Sequence, residues 1–274
     1  MNALLTAADT GGPGAGRRPP ACECTDLGVD LESSDGPRQV LEGITTQLHE
    51  GELVSVMGRS GTGKTTLLRV LAGLLQPTPG SVVRMRGAPV DGPPEGAVFV
   101  FQNYAASLLP WRTVERNVAL GIEGRVAKAE LRRRVGEALA TVGLEDRAQD
   151  YPWRLSGGMQ QRVQLARALA MRSVVLLMDE PFGALDAMTK ASLQDQLLAV
   201  HHQARPTIVF VTHEIDEAVY LSDRVVVLGG PPGRVVDDIA VDLPRPRHQL
   251  TTREHPEFLR LRRLVYDRIV GRDG

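Results

Sequence analysis

The stretch Leu53-Val54-Ser55-Val56-Met57-Gly58-Arg59-Ser60-Gly61-Thr62-Gly63-Lys64-Thr65-Thr66-Leu67-Leu68 decides the fold. It opens with a near-continuous apolar run, the mark of a strand buried on both faces. Residues 58–65 fit the pattern G-x-x-x-x-G-K-[ST], and a helix is expected over 65–74. Glycines let such a loop curl until successive N–H groups point at phosphate oxygens, and the helix N-terminus adds its positive dipole end. In that setting Lys64 reaches the β- and γ-phosphates of a nucleotide, and the Thr65 hydroxyl is placed to ligate Mg²⁺. A glycine-rich turn that binds nothing is the plainer alternative; the strand before it and the helix after it argue against that.

Further strand-like runs lie at residues 97–101, 174–178 and 207–212, alternating with helical patterns. This is the layout of an α/β protein with a mainly parallel sheet. The third run, Val174-Val175-Leu176-Leu177-Met178, ends in Asp179-Glu180. Two acids after an apolar strand can open an ordinary loop. Next to a phosphate loop, at the edge where open α/β sheets bind ligands, Asp179 reads as a Mg²⁺ holder and Glu180 as the general base for an attacking water. Residues 107–171 hold too much helix for a simple crossover and read as an inserted helical subdomain. Within it Leu131, Val135, Ala138, Leu139 and Val142 share one face, with Arg132, Arg133, Arg134 and Glu137 opposite.

Composition limits the remaining choices. The 274 residues are 42% hydrophobic and 24% charged with net charge −1, so a core can form and the basic footprint of a nucleic-acid binder is absent. No apolar stretch approaches the roughly 20 residues of a membrane-spanning helix, so a cytoplasmic chain is expected that reaches a membrane by docking to other subunits. Residues 1–20, with Gly11-Gly12-Pro13-Gly14, read as a disordered leader. Cys22 and Cys24, the only cysteines, stand one residue apart and read as plain reduced thiols.

Leu155-Ser156-Gly157-Gly158-Met159-Gln160-Gln161-Arg162 names the class. It is a second loop-to-helix start, with Ser156 suited to an N-cap. The first loop already takes the phosphates, so this one serves a nucleotide held by another copy of the chain. Here the sequence closely resembles the ATPase subunits of ABC transporters, whose signature reads LSGGQ; Met159 departs at the fifth position. Other positions of the family follow in order: Gln102 as the Q-loop glutamine, Gly183-Ala184-Leu185-Asp186 as the D-loop, and His213 as the switch histidine. His49, His201, His202, His248 and His255 lie in no chemical context and read as surface or core residues.

The resemblance implies a P-loop NTPase core, an N-terminal antiparallel β subdomain and the inserted helical subdomain (residues 105–171) within an ATP-binding domain over 21–248, followed by a helical tail over 249–274. It implies a homodimer closing head-to-tail on two Mg²⁺-ATP. In each site Gly58, Arg59, Ser60, Gly61, Thr62, Gly63, Lys64, Thr65, Thr66 and Gln102 of one chain face Ser156, Gly157, Gly158 and Met159 of the other. Thr65, Gln102 and Asp179 surround the metal; Glu180, His213 and Lys64 carry the chemistry. The partners implied are integral-membrane permease subunits and, indirectly, an extracytoplasmic solute-binding protein, with the ATPase peripheral on the cytoplasmic face of the membrane.

Finer resemblance is to importers of nitrate, sulfonate and taurine, through Leu108-Leu109-Pro110-Trp111-Arg112-Thr113-Val114, Pro181-Phe182-Gly183 and Leu243-Pro244-Arg245-Pro246-Arg247. Tyr104, Leu108, Leu109 and Trp111 are expected to be exposed anchors lining a groove for a permease helix. The family's adenine-stacking aromatic has no counterpart here: the window at residues 33–38 is polar, and no Phe, Trp or Tyr precedes Phe99. An aliphatic such as Val40 is left to serve. Phe258, Leu261, Leu264, Val265 and Ile269, in helical spacing, predict a C-terminal helix that packs on the body or on its dimer mate.

Overall fold

The structure, a computed structural model, describes residues 19–34, 36–102, 107–183 and 185–271. Most of the expected leader and Tyr104 fall outside those residues. Two sheets organise the chain. In the first, β1 (Pro20–Ser33), β2 (Gly36–His49), β4 (Val82–Met85) and β5 (Ala88–Pro89) run antiparallel in the order β2-β1-β4-β5. The second holds β3 (Leu53–Gly58), β6 (Ala97–Val100), β7 (Val175–Asp179), β8 (Thr207–Val211), β9 (Arg224–Gly229) and β10 (Arg234–Ala240), in the order β10-β9-β3-β8-β7-β6. All its pairings are parallel except β10 with β9 at one edge.

The apolar runs follow from what lies on both sides of this sheet. Leu53 and Met57 of β3, Leu176 and Met178 of β7, and Ile208 and Phe210 of β8 join one buried cluster. Val54, Val56, Val175, Leu177, Val209 and Val211, the alternate positions, join a second. Alternation along a strand sends successive side chains to opposite faces, and with both faces covered most positions are apolar, Ser55, Thr207 and Asp179 being buried polar exceptions. The antiparallel sheet covers the second face: Cys22, Leu27, Leu41 and Ile44 belong to that cluster. Cys22 and Cys24 are buried there as free thiols, each pushed up to about 12 by burial.

Helix α1 (Lys64–Leu71) follows β3. It is shorter than the expected 65–74 because Gly73 stops it in a left-handed turn, with Gly73 N bonded to Val70 O and Leu74 N to Arg69 O. A side chain at Gly73 would meet Gly92 O at 2.0 Å. Between β6 and β7 stand α2 (Val114–Ala119), α3 (Lys128–Thr141) and α4 (Gly157–Met171). On α3 the expected faces are observed: Val135, Ala138 and Leu139 are buried, while Arg133 bridges Glu130 and Glu137 outside.

Beyond β7 come α5 (Ala187–Ala204), α6 (Ile215–Leu221), α7 (Thr251–Glu254) and α8 (Pro256–Val270). Helix α8 buries Phe258, Leu261 and Val265 against α6, β9 and β10, so the C-terminal helix packs on the body of its own chain. Arg247 anchors the preceding segment by donating to the carbonyls of Tyr220 and Ser222, both at 2.8 Å. Among the described residues no helix is long and apolar enough to cross a membrane.

Candidate functional site

β3, β7 and β8 lie side by side and parallel, so their C-terminal ends bring residues distant in sequence to one edge. From β3 the chain leaves through Gly58 at φ 152°. A Cβ there would sit 2.4 Å from Leu228 O on the neighbouring β9, so only glycine fits this close approach. Thr62 is buried and its hydroxyl donates to Arg59 O at 2.9 Å, closing the turn. Lys64 folds back over the loop, donating from Nζ to the carbonyls of Gly58 and Arg59, both at 2.9 Å. Burial pulls its ammonium below the ordinary lysine value, opposed by the charges of Glu180 and Asp179. An ammonium so held is easily passed to a phosphate, a stronger acceptor than a carbonyl.

β7 ends at Asp179, whose Oδ1 accepts from the Thr65 hydroxyl at 3.0 Å. Burial lifts the Asp179 carboxyl above its usual range, against the Thr65 hydrogen bond, and the neighbouring Glu180 adds to the lift. A second positive charge at this point would reverse that and favour the carboxylate. A hydroxyl and a carboxylate oxygen in contact beside a phosphate cradle form the hard-oxygen set that suits Mg²⁺, which takes few protein ligands and completes its shell from phosphates and water.

Glu180, directly after β7, adopts φ 48°, a left-handed conformation that a non-glycine residue enters at a cost. Three contacts hold it there. Its N–H donates to Val211 O at 3.0 Å, its carbonyl accepts from Gln161 Nε2 at 3.2 Å, and its Oε2 accepts from Gln102 Nε2 at 2.9 Å. His213, two residues past β8, places Nδ1 3.4 Å from Glu180 Oε1 and is otherwise exposed. The loop carrying His213 is braced from below. Thr212 donates its hydroxyl to the buried Glu217 and accepts from Glu214 N at 3.1 Å, and Gln194 donates to Glu217 at 3.0 Å.

The second glycine loop opens the helix whose Gln161 reaches the Glu180 carbonyl. Ser156 caps α4, its Oγ accepting from Met159 N at 3.3 Å, with Gly157 and Gly158 in the first turn. Among the described residues no hydrogen bond or ion pair joins Ser156, Gly157, Gly158 or Met159 to residues 58–65, Asp179 or His213. Ser156 is exposed and its loop is free to meet another molecule. Asp186 caps α5 by accepting from Thr189 N at 3.0 Å; Ala184 lies outside the described residues.

Two features depart from the sequence reading. Leu108 is buried at 4% exposure in the core, and Leu109 is half-buried; of the expected anchors that can be placed, only Trp111, 71% exposed, faces outward. Leu108 joins the core cluster, and Asn117 holds Leu109 N and O at 2.9 and 3.0 Å, with Arg167 holding Asn117 in turn. Two further residues at the site, Gln161 and Glu217, carry no individual signal in the sequence. Each belongs to a stretch whose resemblance is plain, but its role rests on contacts across 19 and 23 residues of sequence, which no local pattern carries. Val40 borders a cavity of about 290 Å³ with Leu31, Arg38, Gly61 and Pro231, and no aromatic side chain lines it.

This edge has counterparts. A family model described as "ABC transporter" matches residues 41–183. The chain is 43% identical over 245 residues to the bicarbonate transport ATP-binding protein CmpD of Synechococcus elongatus, covering 88% of this chain and 87% of that protein. It is 41% identical over 245 residues to the nitrate import ATP-binding protein NrtD of the same organism, covering 88% of each. Among solved structures, a dimeric ATP-binding cassette in a post-hydrolysis state bound to ADP and Pi superposes with a TM-score of 0.72 at 30% identity, over 80% of this chain and 98% of that one. With its phosphate loop, paired acids and second glycine loop on one cassette, this chain belongs to the ABC transporter family as an ATP-binding, ATP-hydrolysing subunit.

Proposed function

We propose that this subunit energises the import of a small oxyanion of the nitrate, bicarbonate or sulfonate kind. The observation that carries it is the division of the site: residues 58–65, Asp179, Glu180, Gln102 and His213 converge on one sheet edge, while Ser156 is exposed and, among the described residues, its loop makes no hydrogen bond to residues 58–65, Asp179 or His213. Half of the site is thus present in each chain, and two chains head-to-tail complete two sites. The relatives are named for bicarbonate and nitrate transport, which supplies the solute class.

In this reading Gly58, Arg59, Ser60, Gly61, Thr62, Gly63, Lys64, Thr65 and Thr66 hold the phosphates of ATP, and Ser156, Gly157, Gly158 and Met159 of the second copy close over them. Thr65, Asp179 and Gln102 would hold Mg²⁺, which would supply neutralisation of phosphate charge. Glu180 takes the proton of the attacking water, and Lys64 and His213 stabilise the charge that develops on the terminal phosphate. Gln102 lies on the segment leading to Trp111 and passes the state of the site to the permease. Closure and opening of the pair drive the permease between its two orientations.

The test is growth of a deletion strain with nitrate as sole nitrogen source, with an alkanesulfonate as sole sulfur source, and at limiting bicarbonate, each against ammonium, sulfate or high carbon dioxide. Failure on one of these, restored by the wild-type gene and not by Lys64→Ala, names the solute. Normal growth on all of them removes the oxyanion class.

A further inference from the structure

Among the described residues no aromatic side chain lines the cavity beside the phosphate loop, whose walls include Gly61, Val40, Leu31, Arg38 and Pro231. An aromatic surface exists elsewhere, immediately ahead of the exposed glycine loop. Tyr151 and Trp153 stack with ring centroids 6.0 Å apart and planes 14° from parallel. Trp153 is 66% exposed, an unusual state for the largest side chain, and the Arg154 guanidinium lies 5.0 Å from its ring centroid.

This platform is rigidly built. Pro152 between the two rings is buried, its carbonyl accepts from Gln160 Nε2 at 2.9 Å and from Leu155 N at 3.1 Å, and Arg154 N bonds to Tyr151 O at 2.9 Å. Gln160 belongs to the helix that Ser156 caps, so the rings and the anion-binding loop move as one body. Trp153 stands three positions before Ser156, at most about 10 Å of chain. With Ser156 at the terminal phosphate of a nucleotide, Trp153 would therefore be within reach of the rest of that nucleotide.

We propose that Trp153, flanked by Arg154, is the purine-stacking residue of this ATPase and acts in trans, covering the base of the nucleotide whose phosphates the other copy holds. This rests on the two-copy reading above. Aromatic rings and arginine planes both stack on nucleobases, and one such stack is worth about 5- to 100-fold in affinity. The arrangement makes base recognition conditional on pairing of the chains: a lone chain grips the triphosphate, and the pair also grips the base.

The chain has two tryptophans, so Trp111→Phe leaves Trp153 as the sole reporter. In Trp111→Phe combined with Glu180→Gln, addition of Mg²⁺-ATP is expected to quench the emission of Trp153 in step with dimer formation read by size exclusion. Dimers with unchanged emission overturn the trans stack and leave the ATPase reading standing; absence of any dimer overturns both.

In the otherwise native chain, Trp153→Ala is expected to raise the KM for ATP roughly tenfold with kcat little changed. Trp153→Phe should restore it, and the inhibition constant of inorganic tripolyphosphate, which has no base, should not move. An equal loss of tripolyphosphate binding would make Trp153 a scaffold residue. An unchanged KM with loss of permease binding would make the platform a docking surface. Either result overturns the proposal.

Discussion

The side-chain amide of Gln102 donates to the Glu180 carboxylate at 2.9 Å, tying the segment after β6 to the residue after β7. Three further contacts reach Glu180, from Gln161, Val211 and His213. The carboxylate is therefore aimed before any nucleotide arrives, and its left-handed backbone is compensated by partners on three different segments. The signature helix α4 is one of these, through Gln161. Whatever moves α4 is felt at the backbone of the proposed base.

That geometry sets the outcome of Glu180→Gln. The amide keeps the size and the contacts to Gln102 and His213 but cannot accept a proton from water. ATP hydrolysis, followed by phosphate release, is expected to fall about 10²- to 10⁴-fold, while ATP binding persists and a dimer accumulates. Turnover within a few-fold of wild type would move the base elsewhere.

Gly58→Ala probes the cradle. Its new Cβ would lie 2.4 Å from Leu228 O and 2.8 Å from Thr62 Oγ1, and the carbonyl belongs to β9, paired in the sheet with β3 and unable to retreat cheaply. Destabilisation of about 1–3 kcal/mol is expected, with loss of ATP binding beyond what unfolding explains. A melting temperature and an ATP affinity both equal to wild type would show that the loop tolerates a side chain there.

His201 predicts a pH dependence. It is fully buried, its Nε2 lies 3.0 Å from Gly51 O, and its Nδ1 has no hydrogen-bond partner. Burial pulls its pKa down to about 4, with Asp223 opposing and Arg245 and Arg205 assisting. The folded pKa is below the unfolded value of 6.5, so the unfolded chain binds the proton first. Stability from the neutral ring is present above pH 6.5 and is lost as pH falls toward 4, by at most about 3 kcal/mol. Urea melts at pH 7 and pH 5 should show this loss in the wild type and a smaller one in His201→Gln. An equal loss in both would assign the acid sensitivity to other groups.

Much of this was legible because it is local or periodic. The strand-loop-helix at residues 53–71 and the acids after β7 follow from apolar runs broken by glycine or carboxylate, and two covered sheet faces make such runs obligatory. Legibility ended where a contact spans the chain. Leu108 reads as an exposed anchor from its neighbours in sequence; in the fold it joins the core, with Arg167 bonded to Ser107 O before it and Asn117 to Leu109 after it. His201 shows no local context at all, because its partner Gly51 is 150 residues away.

The same network bears on which residue would meet the proposed permease. Leu108 is core and Leu109 has both main-chain groups held by Asn117, so the segment is a rigid shelf rather than a flexible loop. At its tip Trp111 is 71% exposed, beside an Arg112–Glu123 pair at 2.6 Å. A large apolar side chain on a rigid support, rimmed by charge, is the composition of an interface hot spot, where truncation costs 2 kcal/mol or more, about 30-fold in affinity. Trp111→Glu is thus expected to abolish co-purification of the permease while leaving the melting temperature and the KM for ATP at wild-type values. Leu108→Glu, which buries an unpaired charge, should instead unfold the helical subdomain and lose both. Full permease recovery with Trp111→Glu would place the docking surface away from this shelf.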